Sequence, residues 1–535
     1  MSIISVKFLF FLFVSLFMYY VVPRKIQWKI LLIISYLYYL IAGMENIVFL
    51  ILTSLTTFFT GKKLDSINIE YDAIIEKKVI AGELVSKDEK QDLKQNGKKQ
   101  KRKYLVFALV FNFGILFALK YSNVLNGIFA GINSLFGFSD KPFFFSWTIP
   151  IGISYYTFQS MGYLIDLYRK KYSAEKDILK FMLFVSYFPQ LIQGPINRYD
   201  NLSQKLYDEH SFCVKKIFGG AELITWGLFK KLVISDRLAV ITGAIFGKPE
   251  RYSGCFLIVA TVLSMIQLYT DFSGGIDIVR GISEMFGINL PENFLRPFFA
   301  RNMAEYWRRW HITLNNWWRD YIFYPLSLSK TLNRVGKGAK KIFGNEFGKK
   351  FPILISIVII RIINSIWHGA TGSSILGGLY YGIILAASFY LEPSLKKITI
   401  RLGINTECFS WKLFQIVRTF CLMSVPRLVS NAKSLSDGAN YFRCLFLKYN
   451  PWILFDGSLY KLGLSRPQFL LTMIAICLLV FVSYIQEKGK EVRACISGQN
   501  IIFRWLVYTT MIYLIILLGA YGNGYDAKAF IYAQF

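Results

Sequence analysis

The sequence predicts an all-α, polytopic membrane protein, and three observations carry that prediction. Hydrophobic types make up 54% of the 535 residues and charged types only 18%, where soluble chains carry about a quarter charged residues. The apolar residues are gathered into runs such as 8–22, 30–41, 256–268 and 470–484. With their flanks, several of these reach the roughly 20 residues that a helix needs to cross a hydrocarbon core of ~30 Å. Such runs are far too long for barrel strands, and lipid leaves the backbone no other solution than helices or a closed barrel.

Taken in order, the first run ends at Pro23-Arg24-Lys25 rather than at a small-residue cleavage site, so it reads as a retained anchor and not a signal peptide. The next runs, near 30–42 and 46–60, are split by Ala42-Gly43-Met44-Glu45. Arg24, Lys25 and Lys29 follow the first run, and Gly61-Lys62-Lys63 the third. Placing both basic clusters in the cytoplasm makes the N-terminus extracytoplasmic. Residues 64–103, rich in Lys, Glu, Asp and Gln, read as a solvated, partly helical cytoplasmic loop.

Membrane spans are expected near 104–121 and 147–168, the latter closed by Arg169-Lys170-Lys171. The pieces at 178–195 and 216–246 are interrupted by Pro189, Gly194, Pro195 and charges, which marks them as interfacial or re-entrant. A run at 254–270 leads into 271–350, a charged, aromatic, cytoplasmic-side segment. Apolar runs resume at 352–367, 374–391, 412–430, 467–485 and 501–520. The total is roughly ten to twelve spans. With no repeat of the kind that builds transporters from inverted halves, residues 1–535 read as a single membrane domain.

The net charge of +29 does not point to nucleic acid. The Lys and Arg residues lie in loops between apolar runs, as the positive-inside rule requires, and form no basic stripe interleaved with stacking aromatics. Anionic lipid headgroups are the expected partner. The seven cysteines have no metal-ligand spacing and no disulfide framework.

Chemistry is expected at the histidines, of which there are three. His210, in Asp208-Glu209-His210, reads as an exposed loop residue. His368 closes a run whose second half holds Arg361, Asn364 and Ser365. On a helix Arg361, Asn364 or Ser365, His368 and Gly372 form one stripe, and polar groups at membrane depth face a cavity or a partner. His311 lies between Trp307-Arg308-Arg309-Trp310 and Ile312-Thr313-Leu314. At helical spacing Trp307, His311, Leu314 and Trp318 share a face, and Glu305 can pair with Arg309. The Trp and Arg content suits a helix at headgroup level. No nucleophile elbow, Walker loop, zinc spacing or dinucleotide fingerprint is present. A buried His acting as general base on a hydroxyl fits acyl transfer to an alcohol.

The stretch from Trp307 through His311-Ile312-Thr313-Leu314, followed by Trp318-Arg319-Asp320-Tyr321-Ile322 and Pro325-Leu326, resembles the signature of the membrane-bound O-acyltransferases, in particular the bacterial alginate O-acetyltransferase branch. Trp367-His368-Gly369-Ala370 resembles that family's second histidine motif. Supporting stretches are Pro150 to Asp166, Phe188 to Ile196, Asp271-Phe272-Ser273-Gly274, Leu290 to Phe294 and the closing Phe530 to Phe535. The chain departs from the family pattern at Ser365-Ile366, Gly275, Tyr381 and Ala533.

The resemblance implies helices ringed around a central tunnel, with the acyl donor on the cytoplasmic side and the acceptor outside. His368 takes the place of the catalytic histidine and His311 that of its cytoplasmic-side companion. Arg361, Asn364, Trp307, Arg308, Trp310 and Asp271 become candidates for the substrate path. No metal or bound cofactor is implied. The expected donor is acetyl-CoA or a similar thioester, the acceptor an exported cell-surface polysaccharide, and a further partner an extracytoplasmic acyltransferase- or esterase-like protein. A multi-pass place in the plasma membrane follows. The alternatives are D-alanyl or other acyl transfer to a cell-wall polymer, transport of a polysaccharide or lipid-linked substrate along the same polar stripe, and a scaffold without activity.

Overall fold

The computed structural model describes residues 2–80, 87–136, 149–432, 434–520 and 530. Residues 531–535, which carry the closing resemblance and Ala533, lie outside the described residues. Regular structure among the described residues is helical, with one isolated β-bridge. Nine of these helices are long and apolar enough to cross a membrane. The first apolar run forms a helix of 16 residues, and residues 178–193 are likewise a shorter apolar stretch, which accounts for part of the difference from ten to twelve. The chain divides into two compact units, Met1–Gly220 with Val279–Pro291, and Ala221–Ile278 with Glu292–Phe535.

The first unit begins with α1 (Val6–Val21), capped by Ser5 and burying Phe8, Leu12, Ser15 and Tyr19 at three- and four-residue spacing. It continues with α2 (Gln27–Ala42), α3 (Ile47–Ile80), α4 (Lys87–Lys120), α5 (Ser122–Phe136), α6 (Ile153–Tyr168), α7 (Ile178–Ser186), α8 (Phe188–Gln193) and α9 (Tyr199–Tyr207). At 34 residues each, α3 and α4 are about 51 Å long, well beyond the ~30 Å of a bilayer core. The charged segment 64–103 is therefore largely the continuation of two membrane helices, joined by a Lys78–Glu89 ion pair and by Lys101 Nζ donating to Asn68 Oδ1 at 2.6 Å. The expected span at 147–168 is represented by α6, of 16 residues, nearly all buried. The break expected near Pro189 falls at Tyr187, between α7 and α8.

His210 is not an exposed loop residue. Its ring Nδ1 lies 3.0 Å from the Tyr19 hydroxyl. Its backbone N–H donates to Gln27 Oε1 at 2.9 Å, and its carbonyl accepts from Gln27 Nε2 at 3.0 Å. The partners come from about 190 residues away, so a local reading of Asp208-Glu209-His210 could not contain them.

The second unit holds most of α10 (Val214–Leu228), which runs through a π-helical segment, Phe229–Ser235, into α11 (Asp236–Gly247). The piece at 216–246, expected to be broken, is thus one helical rod; its charges, Lys230, Lys231 and Asp236, are neutralised within the protein. The crossing of α10 with α12 (Cys255–Met285) explains how. Gly227 and Gly274 meet so closely that a Cβ on Gly227 would sit 2.5 Å from the Gly274 carbonyl oxygen. That approach brings Lys231 Nζ to 2.7 Å from Asp271 and 2.9 Å from Asp236, and Lys230 Nζ to 2.8 Å from Asp277 and 2.9 Å from Ser273 Oγ.

Next come α13 (Met303–Arg309), α14 (Ile312–Trp318), α15 (Tyr324–Ser327), α16 (Lys330–Phe343), α17 (Asn345–His368), α18 (Gly372–Arg401), α19 (Phe409–Ser430), α20 (Leu435–Leu447), α21 (Arg466–Glu487), α22 (Val492–Ser497) and α23 (Ile501–Leu518). α17 and α18 form a hairpin in which the end of α17 presses on the start of α18, because a Cβ on Gly378 would lie 2.7 Å from the Arg361 carbonyl oxygen and 2.5 Å from Ser365 Oγ.

Candidate active site

Trp307, His311, Leu314 and Trp318 do not lie on one continuous helix. α13 stops at Arg309. Trp310 is extended (φ −107°, ψ 127°) and forms an antiparallel bridge with Phe294. His311 then adopts a left-handed backbone, φ 44° and ψ 56°, before α14 begins. For a residue with a side chain this conformation costs roughly 1–2 kcal/mol, and such strain gathers at functional sites. The compensation is local. Asn293 supplies its carbonyl to Ile312 N–H at 3.0 Å, and its side-chain Oδ1 to Thr313 N–H at 3.0 Å and Thr313 Oγ1 at 2.9 Å. It thereby serves the first turn of α14 as a cap borrowed from another segment.

The consequence is a buried His311, 2% exposed. Its Nδ1 is 3.3 Å from Asn293 Oδ1. Phe272 packs edge-on against the ring at a centroid distance of 4.8 Å. Trp367 lies 6.5 Å away and is itself 4.5 Å from the ring of His368. Residues 57 positions apart in the chain, His311 and His368, are therefore gathered around one indole. Burial holds the imidazole of His311 well below its usual pKa, and the neighbouring His368 adds to the effect, because both disfavour a positive charge on the ring.

On α17, Arg361, Asn364 and Trp367 are buried and His368 is half-buried at the last position. Gly372 is not part of this stripe. The helix ends at His368, Gly369 is extended, and Gly372 opens α18. Asn364 Oδ1 accepts from Trp318 Nε1 at 3.1 Å, and Asn315 Oδ1 accepts from Arg361 Nη2 at 3.1 Å. The Arg361 guanidinium lies 4.0 Å over the Trp307 ring, which meets Tyr381 edge-on at 5.3 Å. Arg361 Nη1 and Trp307 Nε1 are buried and find no acceptor among the described residues. Both N–H groups are therefore open to an acceptor from outside the described residues, a water or a ligand oxygen.

The other sequence candidates fall elsewhere. Arg308 is exposed. Trp310 is packed into an aromatic cluster, stacked on Tyr306 at 5.6 Å and edge-on to Phe294 at 5.0 Å. Asp271 belongs to the Lys231–Asp236 charge cluster, and it is its neighbour Phe272 that reaches His311. The expected Glu305–Arg309 pair is present at 2.7 Å, and Arg309 is held also by Glu487 at 2.9 Å. Asn293, Asn315, Phe272 and Trp367 were not singled out from the sequence. The first, third and fourth sit inside the stretches Leu290 to Phe294, Asp271 to Gly274 and Trp367 to Ala370, so the signal was present as a motif without a role.

A family model described as the membrane-bound O-acyltransferase family matches residues 169–338. Among curated proteins, the chain is 28% identical to "Probable alginate O-acetylase AlgI" of Pseudomonas syringae pv. tomato over 398 residues, covering 74% of this chain and 70% of the relative. It is 30% identical to the "Peptidoglycan O-acetyltransferase" of Helicobacter pylori over 312 residues, covering 54% and 55%. It is 25% identical to the "Teichoic acid D-alanyltransferase" of Bacillus subtilis over 283 residues, covering 49% and 68%.

Proposed function

We propose that this chain, which matches the membrane-bound O-acyltransferase family over residues 169–338, moves an acyl group, acetyl foremost, from a cytosolic thioester to hydroxyls of an exported cell-surface polysaccharide. The observation that carries this reading is the meeting of His311 and His368 around Trp367, on elements held by buried polar contacts. The names of the curated relatives support the substrate class: alginate, peptidoglycan and teichoic acid are cell-surface polymers with hydroxyl groups.

In the reaction, His368 takes the proton of the acceptor hydroxyl as general base. The hydroxyl oxygen attacks the thioester carbonyl, the tetrahedral centre collapses, and the C–S bond breaks. The departing thiolate recovers the proton from the imidazole, leaving an O-ester, a free thiol and the histidine unchanged. Arg361 and Trp307 supply N–H donors for oxygen atoms of the donor, with acetyl-CoA or a similar thioester as the ligand. The lysines at the start of α17, Lys349 and Lys350, and those of α16 set that end in the cytoplasm. Arg361 then lies about 10 Å nearer the cytoplasm than His368 along the helix. An extracytoplasmic partner protein presents the polysaccharide on the far side.

The test is deletion of the gene, complementation with wild type or His368→Ala, and measurement of base-labile acetate on surface polysaccharide. Acetate lost on deletion and restored only by wild type is the expected result. Base-labile D-alanine lost instead would move the reading to the alternative acyl group. Acetate unchanged in every strain, with polymer export lost, would refute acyl transfer in favour of transport.

A further inference from the structure

The role of His311 turns on which ring nitrogen carries its proton, and one oxygen decides that. Asn293 Oδ1 receives the backbone N–H of Thr313 at 3.0 Å and the Thr313 hydroxyl at 2.9 Å. A backbone N–H only donates. The side-chain atom of Asn293 at this position is therefore its oxygen; the amide turned over would set an NH2 against an N–H. The same oxygen lies 3.3 Å from His311 Nδ1. Since Oδ1 only accepts, Nδ1 must carry hydrogen. In the neutral ring that leaves Nε2 as the acceptor.

We propose that Asn293 is a positioning residue that fixes His311 as the Nδ1–H tautomer, so that His311 faces the reaction through Nε2 as a hydrogen-bond acceptor, the transferred proton staying with His368, and not as a hydrogen-bond donor to the thioester carbonyl. The left-handed backbone of His311 serves the same end. It turns the ring back toward the segment that precedes α13, where Asn293 and the Phe294–Trp310 bridge hold the two stretches in register. The edge of Phe272 then fixes the ring plane. Burial supports the arrangement by keeping the ring neutral, since an imidazolium would donate from both nitrogens. Asn293 thus does double duty, with one oxygen for the N-terminus of α14 and for the tautomer. The catalytic part of the inference rests on the acyltransferase reading; the tautomer itself does not.

With three histidines in the chain, the tautomer can be read directly by NMR of the full-length protein labelled with 15N-histidine in detergent, the signals being assigned with His210→Gln, His311→Gln and His368→Gln. The expected wild-type spectrum shows His311 protonated at Nδ1 and bare at Nε2 at pH 7.5. Asn293→Ala is expected to lose that preference and to lower kcat by about 10²-fold or more, with the donor KM within threefold. Asn293→Asp keeps the acceptor and the tautomer. Its carboxylate stabilises the protonated ring, so the acid limb of the rate profile moves to higher pH. Thr313→Val removes a donor to the same oxygen without touching the ring and should keep both the tautomer and the pH profile. An Nε2–H signal for His311 in wild type, or an Asn293→Ala protein with unchanged tautomer and kcat, overturns the proposal. A correct tautomer in a wild-type protein that transfers no acyl group upholds the lock and refutes the acyltransferase reading alone.

Discussion

Lys231→Met tests the chain of contacts that supports His311 from behind. Lys231 and Asp271 are each 1% exposed at the side chain and 2.7 Å apart, and Asp236, 8% exposed, is 2.9 Å from the same ammonium. Methionine matches the length of the lysine stem but leaves two buried carboxylates without their shared cation. Breaking a buried pair in this way costs about 3–5 kcal/mol. For a chain of this size that lowers the apparent unfolding midpoint on the order of 3–5 °C. Asp271 directly precedes Phe272, whose ring lies against His311, so activity per folded molecule should fall as well. The assay is thermal unfolding followed by tryptophan fluorescence in detergent, with acyl transfer on the folded fraction. The double variant Lys231→Met/Asp271→Asn removes one of the abandoned charges and should recover at least half of the lost midpoint. A single variant within 2 °C of wild type, or a double variant no better than the single, would refute the idea that this cluster braces the site.

Two further expectations follow from the same geometry. Arg361→Lys keeps the charge but loses the planar stack on Trp307 and the fork that reaches Asn315. Since a desolvated cation–π contact is worth about 2 kcal/mol, the KM for the thioester donor should rise about tenfold or more with kcat changed by less than threefold. An unchanged KM in proteoliposomes would remove Arg361 from donor binding. Stability should also depend on pH through His311, whose folded pKa is depressed by burial and by His368. Between the folded and the ordinary value of about 6.5, the unfolded chain binds the extra proton, so stability is complete above that pH and falls below it by up to about 1.4 kcal/mol per unit. His210, depressed in the same direction by burial, adds to the trend. The unfolding midpoint of His311→Asn should therefore drop less between pH 7.5 and 5.5 than that of wild type, and an equal drop would contradict the assignment.

What the sequence made legible was set by how local each signal is. The runs at 254–270, 352–367, 374–391, 467–485 and 501–520 became α12, α17, α18, α21 and α23 because an unbroken apolar run long enough to cross a bilayer is a property of the run itself. The Arg361–Asn364–His368 stripe held for the same reason, since one helix sets its spacing. The break at His311 could not be read from Trp307 to Trp318, where every residue tolerates a helix. It is imposed by Phe294 and Asn293, 16 and 18 residues upstream along partners no periodicity announces. The rod through 216–246 was missed because Lys230, Lys231 and Asp236 look like interruptions until Asp271 and Asp277 are beside them.

The two histidines are held by opposite means, and that difference bears on what each can do. His311 is closed in: strained backbone, fixed ring plane, 2% exposure and an oxygen at Nδ1. His368 ends a helix, is half-buried, and is followed by Gly369 and by the opening of α18. A group that must meet a large, variable acceptor needs room around it, whereas a group that offers a lone pair in one fixed geometry benefits from having none. In the reaction we propose, the acceptor hydroxyl then approaches from the side of His368, and His311 is the preorganised element of the site. Enlarging the residues that line His311 should then reduce turnover for every acceptor alike, and enlarging those beyond His368, at Gly369 and Ala370, should change which acceptors are used.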